Sequence, residues 1–170
     1  EIATSIKNMN VRGAPAISVT AAFGMVLAAL EYQEEEKPIF FQKITAAAER
    51  LAKTRPTAVN LFWAIQEMEK IIHKNESNPI ADIIQKMTDH AQKLWEEDYQ
   101  INRKMGEFGA SILSDNDVVL THCNAGSLAT VKYGTALAPI RWAIEEEGKN
   151  ITVIADETRP RLQGARRSEE

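Results

Sequence analysis

The first two thirds of the chain have the hydrophobic pattern of helices. Nearly every position between residues 16 and 30 is apolar, with small Ala and Gly residues among them, which is typical of a helix buried on all sides. Apolar residues then recur at helical spacing in three further stretches, separated by Pro38, Pro56 and a turn that ends at Pro79. Proline opens a helix readily and ends the one before it. We predict a helical domain over residues 1–114.

The last third has shorter apolar runs with turns between them. Residues 118–120 (Val-Val-Leu) and 151–155 (Ile-Thr-Val-Ile-Ala) are rich in β-branched side chains. Such runs are typical of strands buried on both faces of a parallel sheet. A helical pattern over residues 128–147 lies between them. The sequence therefore predicts a right-handed strand–helix–strand unit within residues 115–170.

Two strands leave a sheet incomplete, because each of them is then an exposed edge. Either further strands are missing from this chain or a partner supplies them, and we expect the first. The pattern thus predicts an α/β protein that is a piece of a longer one.

Composition narrows the classes of function. The chain has 170 residues, of which 44% are hydrophobic and 26% charged, and its net charge is -4. This composition excludes overall disorder. A net negative charge provides no positive electrostatic potential for binding nucleic acid. One cysteine indicates a reducing compartment. The longest apolar stretch contains Ser18 and Thr20 and is short for a bilayer span. We expect a soluble cytoplasmic protein without membrane or nucleic-acid partners.

Polar side chains follow both predicted strands. Ligands of open parallel sheets bind at the carboxyl ends of the strands, so this edge is the expected site. The residues there are His122, Cys123 and Asn124 after the first strand, and Asp156, Glu157, Arg159, Arg161 and Gln163 after the second.

Cys123 is the candidate nucleophile or proton-transfer residue. A thiol just before a helix N-terminus is favoured as thiolate, although a free cysteine is as often inert and buried. Neighbours on a strand point to opposite faces, so we expect His122 to have a structural role or to support residues that contact the ligand. No spacing of histidine, cysteine and carboxylates resembles a metal site.

Arginine-bearing loops indicate an anionic ligand. Arg12 precedes Gly13 at a predicted helix start, and Arg55 precedes Pro56 at another. Guanidinium and backbone N–H groups at such positions bind phosphate, although either arginine alone fits an ordinary exposed turn. With Arg159, these loops favour a phosphate or sugar phosphate. No GxGxxG motif or Walker loop is present, which argues against a dinucleotide or ATP cofactor.

Five segments resemble the methylthioribose-1-phosphate isomerase family, in the family's order. They are residues 11–17 (VRGAPAI), 55–61 (RPTAVNL), 121–126 (THCNAG), 133–139 (YGTALAP) and 157–166 (ETRPRLQGAR). The wider family includes ribose-1,5-bisphosphate isomerases and the regulatory α, β and δ subunits of the translation-initiation nucleotide exchange factor. The resemblance implies a helical N-terminal domain over residues 1–114, followed by the start of a Rossmann-like domain over residues 115–170.

The resemblance also implies a function and a set of site residues. The reaction is an aldose–ketose isomerisation in methionine salvage, from methylthioribose 1-phosphate to methylthioribulose 1-phosphate, by a homodimer without a cofactor. Cys123 matches the catalytic cysteine. The residues that match substrate-binding positions are Arg12, Gly13, Ala14, Arg55 and Gln163.

Part of the family's active site has no counterpart here. A second catalytic residue, an aspartate, and an Asn-Lys pair that contacts substrate both follow later in the family. We therefore expect the chain to be an N-terminal fragment that is inactive by itself. The alternatives are a ribose-1,5-bisphosphate isomerase and a non-catalytic regulatory subunit.

Overall fold

A computed structural model describes residues 1–160, 162 and 165 of the chain. The chain forms two compact units, residues 1–95 and residues 96–170. The division falls inside a long helix, because the C-terminal part of this helix packs against residues of the second unit. Gln163 and Arg161 lie outside the described residues.

The first unit is entirely helical in its described elements. Pro15 and Pro38 lie in the first turns of their helices, where a missing N–H costs nothing. The helices are α1 (Ile2–Lys7), α2 (Ala14–Glu31), α3 (Lys37–Ala52), α4 (Val59–Lys74) and the first part of α5 (Ile80–Ala110).

Helix α2 lies at the centre of the first unit's core. Its buried side chains include Ile17 and Met25, and they pack with residues of the other four helices. Leu27 and Leu30 are exposed, so the prediction of burial on all sides is wrong for the last turns. Among the described residues, α2 alone has the length and composition to cross a membrane, and 44% of it is buried. A core helix of a soluble protein meets the same test.

The second unit contains the parallel strand pair that the sequence predicts. It consists of the end of α5, β1 (Val118–Thr121), a 3₁₀ turn (Ser127–Ala129), α6 (Ala138–Glu145) and β2 (Thr152–Ala155). The strands run parallel, with Val118 opposite Thr152 and Thr121 opposite Ala155.

The connection between the strands is less helical than its pattern indicates. The predicted helix over residues 128–147 is reduced to α6. Tyr133 and Gly134 have left-handed backbones, with φ values of 71° and 87°. The Thr130 hydroxyl donates to the carbonyl of Lys132 and accepts the N–H of Gly134. These side-chain hydrogen bonds replace helical ones, so the chain forms a loop before Pro139 allows α6 to begin.

The strands are not buried on both faces. Val118 and Leu120 are each 64% exposed, and every residue of β2 is exposed. The β-branched pattern correctly predicts the strands, but burial depends on neighbouring elements. No described residues cover these positions.

Two glycines bring α5 close to α6 within the second unit. A Cβ at Gly106 would lie 3.0 Å from the carbonyl oxygen of Ala138. One at Gly109 would collide with the ring of Pro139. The helix therefore needs small residues here, at a cost in helix propensity of about 1 kcal/mol each relative to alanine.

We expect Gly109→Ala to lower the free energy of unfolding by about 1–3 kcal/mol, because the added methyl group overpacks the contact with Pro139. Urea unfolding followed by circular dichroism measures this. Glu107→Ala, at an exposed position of the same helix, is the control and is expected to change stability by less than about 0.5 kcal/mol. A Gly109→Ala protein that is more stable than the parent would contradict the close contact.

Candidate active site at the carboxyl ends of the strands

The carboxyl ends of β1 and β2 meet at one edge of the sheet. The N–H of Asp156 donates to the carbonyl of Thr121 at 3.0 Å, which continues the ladder one residue past β2. The polar residues after each strand therefore lie side by side, as the sequence predicts for a ligand site. His122, Cys123 and Asn124 follow β1, and Asp156 and Glu157 follow β2.

Cys123 is exposed and has a left-handed backbone, with φ of 74°. This conformation costs a non-glycine residue on the order of 1–3 kcal/mol and concentrates at functional sites. Strand β1 ends at Thr121, so His122 and Cys123 do not follow the strand alternation assumed from the sequence. The structure thus presents the thiol to solvent at the sheet edge instead of burying it.

The expected helix N-terminus behind Cys123 is absent from the described structure. The element that follows is the three-residue 3₁₀ turn Ser127–Ala129. So short an element has little dipole, because the macrodipole arises from many aligned peptide units. The argument that a helix favours the thiolate is therefore wrong for this loop.

The loop that carries Cys123 rests on the loop before α6. The carbonyl of Ala125 accepts N–H groups from Thr135 at 2.9 Å and Leu137 at 3.4 Å. A Cβ at Gly134 would lie 2.5 Å from the same carbonyl oxygen. The absence of a side chain at Gly134 therefore allows the two loops to meet.

His122 and Asp156 form a pair across the two strand ends. Their Nδ1 and Oδ2 atoms are 3.5 Å apart, and the side chains are 64% and 53% exposed. Sequence reasoning placed both residues at this edge but missed the pairing. The sequence held a signal for this pairing, because each residue is the first one after a strand of the parallel pair.

Two buried oxygen atoms at this edge have no hydrogen-bond partner among the described residues. They are Oγ1 of Thr121 and Oδ1 of Asn124. Buried polar groups in native proteins are nearly always paired, so each such atom suggests a missing partner. Both residues flank His122 and Cys123 in the chain.

Tyr133 packs into an aromatic cluster beside this loop. Its ring centroid lies 5.8 Å from that of Tyr99 and 6.2 Å from that of Trp142. Burial raises the pKa of Tyr133, and a hydrogen bond with Tyr99 adds to the shift. The cluster thus packs around the left-handed residue that precedes Gly134.

The remaining predicted site residues in the described chain lie in the first unit. Gly13 is the buried N-cap of α2 and accepts the N–H of Ile17, while Ala14 begins the helix and is exposed. Arg12 is half-buried, and its contiguity with Gly13 and Ala14 places all three at the start of α2.

Arg55 lies on the loop between α3 and α4. It is half-buried, and its Nη1 atom is buried without a hydrogen-bond partner among the residues the structure describes. Gln163, the last predicted substrate-binding residue, lies outside them. Within the described ranges, no group of three or more histidine, cysteine or carboxylate side chains is arranged to hold a metal ion.

The pattern of the Initiation factor 2 subunit family matches residues 10–170 of the chain. The chain belongs to this family. Together with the relatives described next, this match confirms the resemblance drawn from the five segments.

Relatives in the Initiation factor 2 subunit family include named enzymes. A methylthioribose-1-phosphate isomerase from Thermoanaerobacter sp. is 54% identical over 162 residues, which cover 95% of this chain and 47% of the relative. One from Petrotoga mobilis is 54% identical over 168 residues, covering 98% and 48%. The chain spans about half the length of these curated relatives.

Solved structures of similar proteins confirm the α/β fold. The 5-methylthioribose 1-phosphate isomerase of Pyrococcus horikoshii is 43% identical with a TM-score of 0.90, over 96% of this chain and 46% of that one. The translation initiation factor eIF-2B subunit delta from A. fulgidus is 48% identical with a TM-score of 0.86, over 96% and 47%. The family fold thus occurs in an enzyme and in a protein named as a translation factor subunit.

Proposed function

We propose that the chain forms part of an aldose–ketose isomerase that converts methylthioribose 1-phosphate to methylthioribulose 1-phosphate. The observation that carries the proposal is Cys123, exposed in a left-handed conformation at the carboxyl edge of a parallel sheet. A non-catalytic scaffold gains nothing from backbone strain at an exposed thiol. A catalytic residue gains a fixed position from such strain. Relatives that are 54% identical have this activity in their name.

The chemistry of the substrate explains the need for such a residue. A phosphate on C1 blocks the free aldehyde, so the sugar ring must open with the phosphate attached. Hydrogen then moves from C2 to C1, either as a proton or as a hydride. In the proton route, Cys123 removes the proton from C2 and returns it to C1, as a positioned general base and acid.

The first unit supplies groups suited to the phosphate. The buried Nη1 of Arg55 lacks a hydrogen-bond acceptor among the described residues, and an anionic oxygen satisfies such a donor with a charge-assisted bond. Arg12 and Gly13 lie at the N-terminus of α2, an 18-residue helix, where backbone N–H groups favour anions. Gln163 is proposed as a substrate contact from the resemblance alone.

A regulatory, non-catalytic subunit is the second candidate. The 48% identity to the eIF-2B delta subunit of A. fulgidus favours it. A subunit without turnover has no use for an exposed thiol next to unpaired buried oxygens at a strand end. We therefore place the isomerase first.

An assay on two proteins tests the proposed function. One is the 170-residue chain alone, and the other is a fusion that joins this chain to the part of the Thermoanaerobacter relative that it does not cover. We expect the fusion to form ketose from methylthioribose 1-phosphate and the chain alone to form none. A folded fusion without turnover would favour the regulatory subunit. Preference for ribose 1,5-bisphosphate would favour the other isomerase.

In the active fusion, Arg55→Lys is expected to raise KM for the sugar phosphate about 10-fold, because lysine keeps the charge but loses the guanidinium fork. The effect on kcat is expected to be smaller. Arg50→Lys, at an exposed position of α3, is the matched control. Equal KM values for the two variants would show that Arg55 does not contact the phosphate.

A further inference from the structure

Asp98 connects helix α5 with the chain between the two strands. Its Oδ2 atom accepts the N–H of Val131 at 2.7 Å, although the two residues are 33 positions apart in the chain. Both belong to the second unit. Acidic side chains on a helix mostly face solvent, and the acidic run at residues 96–98 gives no sign of this contact in the sequence. The tertiary structure therefore gives this carboxylate a specific partner.

Asn102 holds the Asp98 carboxylate in one orientation. It lies about one helical turn further along α5 and is 2% exposed. Its Nδ2 atom donates to the backbone carbonyl of Asp98 at 2.8 Å and to Oδ1 at 3.1 Å. Oδ1 thus faces Asn102, and Oδ2 faces the loop. The carboxylate is an acceptor fixed in advance rather than a mobile surface group.

The N–H of Val131 needs an acceptor from outside its own loop. In a helix it would donate to the carbonyl of Ser127, four residues earlier. That carbonyl instead accepts the N–H of Thr130 at 3.3 Å. Asp98 supplies the acceptor for Val131, through a bond that its charge strengthens. The carboxylate therefore stabilises the loop in place of the helix that the sequence pattern predicts.

The loop held by this carboxylate supports Cys123. The Thr130 hydroxyl accepts the N–H of Gly134 at 3.1 Å. The next residue, Thr135, donates its N–H to the carbonyl of Ala125 at 2.9 Å, two residues after the thiol. A continuous set of hydrogen bonds and short chain segments thus leads from α5 to the left-handed cysteine, within the second unit.

The neighbouring contact between α5 and this loop is aromatic. Tyr99 follows Asp98, and its ring centroid lies 5.8 Å from that of Tyr133. Aromatic rings pack over a broad range of offsets and tilts, whereas a hydrogen bond weakens steeply when its distance or angle changes. The aromatic pair therefore adds burial, and Asp98 fixes the position of the loop.

We propose that Asp98 is a positioning residue for Cys123, because it holds the loop of residues 130–135 on α5 and so keeps the thiol at one place on the sheet edge. The proposal rests on the proposed isomerase function. Asp98 transfers no proton and acts through the backbone alone. A reacting group displaced by about 1 Å can lower a rate about 100-fold, so small movements of this loop affect turnover.

Nuclear magnetic resonance of the 170-residue chain measures the loop without turnover. Alanine is the best helix former, so Asp98→Ala should leave α5 intact. We expect the amide hydrogens of Val131 and Thr135 to exchange with solvent about 10-fold faster in this variant. The strong cross-peak between the amide and α hydrogens of Cys123, which a left-handed backbone brings together, should weaken. Glu96→Ala, which removes an exposed carboxylate from the same helix, is the control and should leave these signals unchanged.

Kinetics of the active fusion tests whether this geometry sets the rate. We expect Asp98→Ala to lower kcat about 10- to 100-fold and to change KM less than about 3-fold, since the proposed phosphate contacts Arg12 and Arg55 belong to the first unit. Asp98→Asn keeps an oxygen that can accept the Val131 N–H, so its kcat should lie within about 5-fold of the parent. Glu96→Ala should match the parent.

The outcomes separate the two proposals. The role of Asp98 is overturned by an active fusion whose kcat is unchanged in Asp98→Ala, or by an Asp98→Asn variant no more active than Asp98→Ala. It is also overturned if faster exchange is confined to Val131, with the Thr135 and Cys123 signals unchanged, because the hydrogen bond is then only local. A folded fusion without turnover overturns the isomerase function instead, while the exchange rates still decide whether Asp98 holds the loop.

Discussion

Replacing Cys123 with serine is expected to lower turnover by the active fusion about 1,000-fold, because a hydroxyl gives up its proton far less readily than a thiol and is a far poorer proton-transfer group. The two side chains have nearly the same shape, and the position is exposed. The fold and its thermal stability should therefore be unchanged. Ketose formation measured against time, with circular dichroism on the same samples, gives both values.

The 170-residue chain offers a second measurement of this residue. It contains one cysteine, so a thiol reagent reports Cys123 alone. We expect the native chain to react with one equivalent of reagent without denaturant, since the thiol is exposed. Turnover of Cys123→Ser close to that of the parent, or a native chain inert to the reagent, would return Cys123 to a packing role.

Gly134→Ala is expected to destabilise the second unit by about 2–5 kcal/mol, the sum of two separate costs. The φ of 87° is unfavourable for any residue with a Cβ. The new methyl group would also lie 2.5 Å from the carbonyl oxygen of Ala125 and 2.7 Å from the carbonyl carbon of Gly126. The loop that carries Cys123 would have to move, so turnover of the fusion should fall as well.

Gly148→Ala is the matched control for this change. Its φ is 66°, but nothing lies within 4 Å of the added Cβ, so the expected cost is about 1–2 kcal/mol from backbone strain alone. Urea unfolding gives the total change, and hydrogen exchange assigns it to the second unit. Equal effects of the two substitutions would show that the contact between the loops contributes nothing.

The positions of the two strands and of the helices in the first unit follow from the sequence alone. Apolar residues at helical spacing, together with Pro15 and Pro38, predict helices that the structure contains. The β-branched runs likewise predict two parallel strands. These predictions succeed because the period of apolar residues and the restricted backbone of proline act within a few residues.

The motifs predict the family and name candidate site residues, and the comparisons confirm the family. The roles of Arg12, Arg55 and Cys123 remain proposals for the experiments above. Gln163 lies outside the described residues, so its role also stays a prediction.

The tertiary structure alone decided the geometry of the site. The left-handed backbones of Cys123 and Tyr133, the short α6 and the pairing of His122 with Asp156 are absent from the hydrophobic pattern. Contacts beyond the nearest neighbours in sequence accompany these features, such as the packing of Gly134 on Ala125 and the register of β1 with β2. Local periodicity predicts which face of an element is apolar, whereas the structure determines what that face meets and which polar groups the strand ends bring together.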